Sequence, residues 1–151
     1  MKIAIGSDMH THLTEVVFEE LKKRGHEVTP FGAVIEGSAP WPQVGMEVAR
    51  RVAEGQFDQA VLFCWTGTGI SIAANKVKGV RAALCVDAET ARGARLWNDA
   101  NVLCMSLRLT SEQVAKEILD AWFQTGMSTD AEDVACIDWL KAQDAAADVA
   151  R

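Results

Sequence analysis

The chain has 151 residues, of which 49% are hydrophobic and 24% are charged, and its formal net charge at pH 7 is −6. This length corresponds to one ordinary domain, and the composition excludes a chain that is mainly disordered. A nucleic-acid-binding protein normally has a basic surplus or a basic stripe, and this sequence has neither. No apolar run reaches the roughly 18 residues that span a bilayer, and no charged-then-apolar leader precedes the first predicted strand, so we expect no membrane segment.

The cysteines and histidines indicate neither a disulfide framework nor a metal site. The sequence contains four cysteines without a C-x-x-C pair: Cys64, Cys85, Cys104 and Cys136. Such thiols are typical of a reducing compartment, so we predict a cytoplasmic protein. His10 and His12 form an H-x-H pair, but no third ligand is suitably spaced, so we predict no metal and no other cofactor.

Predicted strands and helices alternate along the chain. Short apolar or alternating runs bounded by turn residues predict strands over residues 2–7, 26–31, 58–64, 80–86 and 101–105. After a loop over residues 32–42, apolar positions four apart predict a helix that Gly55 ends. Helical spacing also predicts helices over residues 13–24, 70–76, 89–97, 111–124 and 132 to about 144.

This alternation predicts an α/β fold, in which parallel strands are joined by right-handed helical crossovers. We expect a three-layer, doubly wound, five-stranded parallel sheet of the flavodoxin or Rossmann-like type, with a C-terminal helix. Residues 1–125 are assigned to one α/β domain, and residues 126–151 to an acidic helix or tail of that domain. The tail has six acidic and two basic side chains, so it accounts for four of the six net negative charges.

Ligands of such open sheets bind at the carboxyl ends of the strands. We therefore predict one crevice surrounded by Asp8, Gly32, residues 64–69, Asp87 and residues 106–108.

Residues 64–71 have the sequence CWTGTGIS and are the most informative segment. A thiol ends a buried strand, and two glycines then lead into a helix, where backbone N–H groups converge and favour negative charge. A cysteine there is a candidate for a lowered pKa, and the arrangement suits proton abstraction beside a carbonyl with the N–H groups holding the oxyanion. The alternative is a structural cysteine in front of a phosphate-binding loop; the Rossmann spacing G-x-G-x-x-G is absent.

Four segments together resemble one enzyme family: MKIAIGSD at the start, C-x-TG-x-GISIAANK from Cys64, GVRAAL from Gly79 and NDANVL from Asn98. They resemble the ribose-5-phosphate isomerase B and galactose-6-phosphate isomerase family, over residues 1 to about 124. The resemblance implies a homodimer, with a tetramer as the alternative, of flavodoxin-like fold. It also implies interconversion of aldose and ketose phosphates without a metal.

The resemblance assigns roles by position. Cys64 looks like the enediol base, Asp8 like the partner that handles substrate hydroxyls, and Thr66 like the polar group that assists ring opening. Asn98 looks like a substrate contact and Arg108 like a phosphate ligand. The anion hole of the family is matched by the loop residues Gly67, Thr68, Gly69 and Ile70.

The sequence departs from the family at the histidines. Met9 stands where the family has a histidine that helps to bind the substrate, with His10 and His12 nearby as possible substitutes. Trp97 stands where a second histidine opens the sugar ring, and indole cannot shuttle a proton to a ring oxygen.

It also departs in its aromatic residues and its charges. Trp65 replaces the glycine after the cysteine, and Trp41–Pro42 replaces a tyrosine–proline pair. The family's C-terminal arginines, which commonly reach the phosphate across the dimer, are absent between Arg108 and Arg151, where the segment is acidic.

These losses fall on ring opening and phosphate charge and leave the enolisation residues intact. We therefore predict an isomerase with an altered substrate such as a tetrose 4-phosphate, which cannot close a five-membered ring because its terminal hydroxyl is esterified. Alternatives are an isomerase or epimerase of a non-phosphorylated sugar and a non-catalytic sugar or sugar-phosphate binding protein. A thiol redox protein is weaker, since no resolving cysteine is close in sequence.

The tryptophans allow two interpretations. Trp41, Trp65 and Trp97 form an aromatic-walled sugar pocket, which favours a bulkier or cyclic ligand, or they pack in the core or in a dimer interface. Trp122 and Trp139 lie on predicted helices and are assigned to packing.

Overall fold

The five predicted strands form one sheet, in which every pair of adjacent strands is parallel. The structure is a computed structural model that describes residues 1–149, so residues 150–151 of the predicted tail lie outside it. The strand order is β2-β1-β3-β5-β4, which confirms the predicted doubly wound sheet. The strands are β1 (Lys2–Ser7), β2 (Glu27–Gly32), β3 (Gln59–Cys64), β4 (Ala82–Leu84) and β5 (Val102–Ser106).

Helices cover both faces of the sheet and complete the three layers. They are α1 (His12–Lys23), α2 (Trp41–Ala53), α3 (Thr68–Ala74), α4 (Ala88–Asn98), α5 (Glu112–Gln124) and α6 (Ala131–Val149). One buried cluster joins the sheet to α1, α4 and α5, and a second joins it to α2 and α3. Because successive strand residues point to opposite faces, Phe63 enters the first cluster and Cys64 the second. Within residues 1–149, no helix combines the length and apolar character of a bilayer span.

Several observed bounds differ from the predicted ones, and two of these differences have a physical reason in the structure. Helix α2 begins at Trp41, inside the predicted loop, because Pro40 is its N-cap and Pro42 lies in its first turn, where a proline costs no hydrogen bond. Strand β4 has three residues instead of the predicted seven. At this sheet edge the side chain of Asn75 acts as the missing neighbour: its Nδ2 donates to the Ala82 carbonyl (2.8 Å), and its Oδ1 accepts from the Ala82 N–H (2.9 Å).

The C-terminal helix extends the domain beside α4. The N–H of Ser128 donates to the Leu96 carbonyl at 2.8 Å, and Ile137 of α6 is buried. Trp122 packs as predicted, fully buried with its indole N–H on Gln59 Oε1 at 2.7 Å. Trp139, which was also assigned to packing, is instead 67% exposed on α6.

Candidate active site

The residues predicted to surround a crevice meet where β1, β3 and β5 end side by side. Ser7 is in register with Phe63, and Cys64 with Ser106, so the segments that follow the three strands emerge together. Cys64 is 4% exposed and faces the α2–α3 side of the sheet. We call this region the carboxyl edge: it contains Asp8, Cys64, the loop 65–70 and Arg108.

Asp8 is held next to the peptide that follows Cys64. The hydroxyl of Ser7 donates to the Met9 carbonyl (2.7 Å) and accepts from the Met9 N–H (3.3 Å), which shapes the turn around Asp8. Oδ1 of Asp8 is buried and has no hydrogen-bond partner among the described residues. Loss of hydration raises the pKa of Asp8, although the N–H groups of Asp8, Met9 and Trp65 act against that rise. This carboxyl is therefore suited to exchanging protons nearer to neutral pH.

The loop after Cys64 leaves space only for glycine at Gly67. Gly67 has φ +76°, and a Cβ on it would lie 2.5 Å from Leu84 Cδ1 and 3.0 Å from the Met105 backbone. The hydroxyls of Thr66 and Thr68 are 2.7 Å apart and share a hydrogen bond. This tight turn carries the chain from Cys64 directly into α3.

Tryptophans border this loop. The indole of Trp41 lies across Gly69, 3.1 Å from where a Cβ would stand. Trp65 follows Cys64 and is 53% exposed. Two of the three tryptophans predicted to line a pocket are therefore at the carboxyl edge.

Arg108 extends from the segment after β5. Its backbone N–H donates to the Trp65 carbonyl at 2.9 Å, which places it beside the cysteine loop. The side chain of Arg108 is exposed and forms no ion pair with another side chain in the described part of the chain. Arg108 therefore offers an exposed cation beside the cysteine loop.

The two histidines are paired with carboxylates of the helices. Nε2 of His10 is 2.8 Å from Glu15 Oε1. Nε2 of His12 is 3.4 Å from Glu112 Oε2, in a groove between α1 and α5, while Cys64 faces α2 and α3. The structure therefore does not bring His12 to the thiol.

Trp97 and Asn98 are the last two residues of α4 and border a cavity beside β4. Helix α4 follows the carboxyl end of β4 and stops before the amino end of β5, so its last residues are far from the carboxyl edge of the same protomer. The guanidinium of Arg92 lies 5.3 Å from the centroid of the Trp97 ring. One protomer thus contains the predicted site residues as two separate groups.

Asp99 organises the second group. It has φ +46° and receives Arg81 Nη2 at 3.0 Å, Lys141 Nζ at 2.8 Å and Arg95 Nη1 at 3.9 Å. Lys141 belongs to α6, so this cluster ties the C-terminal helix to the end of α4. We call the group formed by residues 97–99, Arg81 and Lys141 the α4–α6 corner; a cavity of about 370 Å³ lies beside it.

An α/β sheet with a thiol, a carboxyl and a glycine loop at adjacent strand ends defines a class of sugar isomerases, and the comparisons with known proteins agree. Residues 3–138 match the model of a protein family described as Ribose/Galactose Isomerase. Ribose-5-phosphate isomerase B of Escherichia coli is 40% identical over 122 residues, which are 80% of this chain and 82% of the relative. D-erythrulose-4-phosphate isomerase of Pectobacterium atrosepticum is 36% identical over 124 residues, 81% of this chain and 82% of the relative.

A solved structure gives the same result. Ribose-5-phosphate isomerase B of Clostridium thermocellum superposes with a TM-score of 0.87 at 38% identity, over 94% of this chain and 96% of that chain. The chain therefore belongs to the ribose/galactose isomerase family and is an isomerase of the aldose–ketose type.

Proposed function

We propose that the protein interconverts the aldose and ketose forms of a four-carbon sugar phosphate through a cis-enediolate. The observation that carries this proposal is the presence, at neighbouring strand ends, of the Cys64 thiol and of the Asp8 carboxyl, whose buried Oδ1 has no hydrogen-bond partner among the described residues. Enolisation needs two proton-transfer groups, one for carbon and one for oxygen.

In the proposed reaction the Cys64 thiolate removes the proton from the carbon next to the carbonyl. The C–H electron pair becomes the C=C bond of the enediolate, and the carbonyl oxygen becomes the oxyanion, which the amides of Thr68 to Ile70 stabilise. The Gly67 amide, also predicted to line the anion hole, already donates to the Cys64 carbonyl. Asp8 moves a proton from one substrate oxygen to the other. Cys64 then returns its proton to the neighbouring carbon, so one carbon is oxidised, the next is reduced, and no external oxidant or metal is consumed.

The choice of a tetrose rests on the departures from the family. Trp97 cannot open a ring, and a tetrose 4-phosphate has no furanose ring to open. In this proposal the exposed cation of Arg108 binds the phosphate, while Thr66 and Asn98 bind hydroxyls. The Pectobacterium relative, named for a tetrulose phosphate, shows that the family includes four-carbon substrates.

We further propose a homodimer in which Asn98 and Trp97 of one protomer complete the carboxyl edge of the other. Their separation from Cys64 within a protomer supports this. So does the apolar surface that the protomer leaves exposed at Trp65, Ile72, Val86 and Trp97. The free thiols of Cys64, Cys85, Cys104 and Cys136 support a cytoplasmic location.

A mixed-dimer experiment tests this assembly. Cys64→Ala and Asn98→Ala proteins, each inactive, are unfolded together and refolded, so that half of the dimers contain one chain of each kind. One site in each mixed dimer is then intact, and activity should return to about a quarter of the wild-type value. Light scattering checks that the mixture is dimeric. If activity does not recover in a dimeric mixture, Cys64 and Asn98 do not form a site shared between the two protomers.

A second candidate is an isomerase or epimerase of a non-phosphorylated sugar. The observation that favours it is the acidic charge of residues 126–151, which would repel a phosphate near the α4–α6 corner.

One experiment separates these functions. The protein is incubated in D₂O with tetrose, pentose and hexose phosphates and with their neutral counterparts, and exchange of carbon-bound hydrogen is followed by proton NMR. Exchange confined to a tetrose phosphate, and lost in Cys64→Ala, is the expected result. Faster exchange on ribose 5-phosphate would refute the tetrose assignment, and exchange confined to a neutral sugar would favour the second candidate. Binding without any exchange would favour a non-catalytic sugar-binding protein.

A further inference from the structure

Ser106 is a buried hydroxyl at the carboxyl edge to which the proposed reaction assigns no role. It is the last residue of β5, is 2% exposed and lies in register with Cys64 on β3. Its Oγ donates to the Trp65 carbonyl at 2.9 Å and accepts from the Leu109 N–H at 3.2 Å. Since the hydroxyl donates its one proton and accepts a bond, it is committed to the protein and not free for a substrate.

These two bonds join the segment that carries the thiol to the segment that carries Arg108. Backbone bonds run in parallel with them: the Cys64 carbonyl accepts from Gly67 and Leu107, both at 3.1 Å, and the Trp65 carbonyl accepts from Arg108 at 2.9 Å. Ser106 adds its two side-chain bonds to this set, and one of them holds the N–H of Leu109, the residue after Arg108. Arg108 is therefore held on both sides, by its own N–H and by the anchored Leu109.

We propose that Ser106 is a positioning residue that sets the distance between the Cys64 base and the Arg108 cation. The inference rests on the proposed function, because that distance matters only if one substrate molecule contacts both groups. Proton abstraction requires the substrate carbon within near-attack range of the sulfur, and a displacement of about 1 Å at an anchoring group costs up to about a hundredfold in rate.

Ser106→Ala removes both bonds and creates little free volume. The Trp65 carbonyl keeps one donor, but the Leu109 N–H loses its acceptor, so the Arg108 segment gains freedom relative to the thiol. We expect kcat to fall and KM to rise together, with kcat/KM at least about tenfold lower. A protein that is merely less stable would lose active molecules and therefore kcat, and its KM would stay the same.

The experiment compares Ser106→Ala with Ser111→Ala and Ser106→Thr, using the substrate that the D₂O screen identifies. Ser111 caps α5 by accepting from the Val114 N–H at 3.2 Å, so its variant loses a serine–backbone bond of the same kind a few residues away. Ser106→Thr keeps the hydroxyl and should recover most of the kcat/KM. The folded fraction of each protein is measured by circular dichroism, and backbone amide exchange is measured by NMR in all proteins.

The expected result is faster amide exchange at Leu109 and Arg108 in Ser106→Ala, and at Val114 in Ser111→Ala. An unchanged KM in Ser106→Ala, or an equal loss in Ser111→Ala, would overturn the positioning role. If the wild-type protein acts on no sugar, the proposed function fails. In that case, faster amide exchange at Leu109 in Ser106→Ala would still show that Ser106 anchors the Arg108 segment. Unchanged exchange at Leu109 would show that it does not.

Discussion

The carboxyl edge and the α4–α6 corner are built in different ways. At the carboxyl edge, the ends of three neighbouring strands are joined by hydrogen bonds to backbone carbonyls, and a single carboxyl, Asp8, is left without a counter-charge. At the corner, a helix end is held by ion pairs, with three cations around Asp99. The departures from the family at Trp97 and in the acidic tail fall at or beside the corner. In the proposed dimer, the carboxyl edge, which is fixed by backbone bonds, would carry the proton transfers, and the corner, which is fixed by side chains, would contact the substrate. Substitutions at the corner could then change the substrate without rebuilding the catalyst.

The largest effect is expected at Cys64. Cys64→Ala should lower exchange of the substrate's carbon-bound hydrogen by about a thousandfold, because a general base contributes about that factor. Cys104→Ala is the matched control: Cys104 is fully buried on the same face of the sheet but two residues inside its strand. Activity that survives in Cys64→Ala, or is lost equally in Cys104→Ala, would show that the thiol is structural.

Gly67 in the loop after Cys64 and Gly79 before β4 have similar φ angles but differ in how closely other atoms surround them. Gly67 has φ +76° and tight neighbours, whereas Gly79 has φ +80° and its nearest neighbour to a Cβ is 3.9 Å away. Gly79→Ala should cost about 1 kcal/mol of unfolding free energy from backbone strain alone. Gly67→Ala adds overpacking against Leu84 and Met105, for about 3 kcal/mol in all. Urea denaturation measures both; equal losses would mean that the loop has room for a side chain.

Restoring a histidine at position 97 tests whether the α4–α6 corner determines which sugar the enzyme accepts. Trp97→His supplies a group that can protonate a ring oxygen. We expect the ratio of kcat/KM for ribose 5-phosphate to that for a tetrose phosphate to rise about tenfold or more. Trp97→Phe is the control, since it removes the indole without adding a proton carrier. A ratio that rises equally in both variants would point to pocket size instead of ring opening.

The smallest effects concern the two carboxylates. Burial raises the Asp8 pKa in the folded protein, so ionising Asp8 costs stability once the pH exceeds about 3.9, the ordinary value. Asp8→Asn should therefore be more stable than wild type at pH 7, with the difference vanishing as the pH falls below about 4. Asp99→Asn should be less stable by about 1 kcal/mol, because it weakens three ion pairs. Denaturation at several pH values distinguishes them; a less stable Asp8→Asn would show that its charge is compensated.

The sequence predicted the carboxyl edge well, because parallel strands end at one edge and their apolar runs are easy to recognise. Asp8, Cys64 and Arg108 emerge there as expected. The position of Trp97 and Asn98 could not be predicted, since the resemblance transfers a role without saying which protomer performs it. Nor could the Asp8 environment, which depends on a Trp65 N–H more than fifty residues away. The start of α2 was missed because prolines are typical of loops, although Pro40 and Pro42 also fit the N-cap and first turn of a helix.

Asn75 has a consequence for how the molecule behaves in a crowded solution. An exposed edge strand is a template on which another chain can extend the sheet, and aggregation begins in this way. Here the side-chain amide of Asn75 already hydrogen-bonds both outward-facing backbone groups of Ala82, its N–H and its carbonyl. Ala82 lies within a segment whose sequence is otherwise typical of a strand. The three-residue length of β4 leaves little else to pair with. A single side chain thus protects the β4 edge of the sheet from unintended partners.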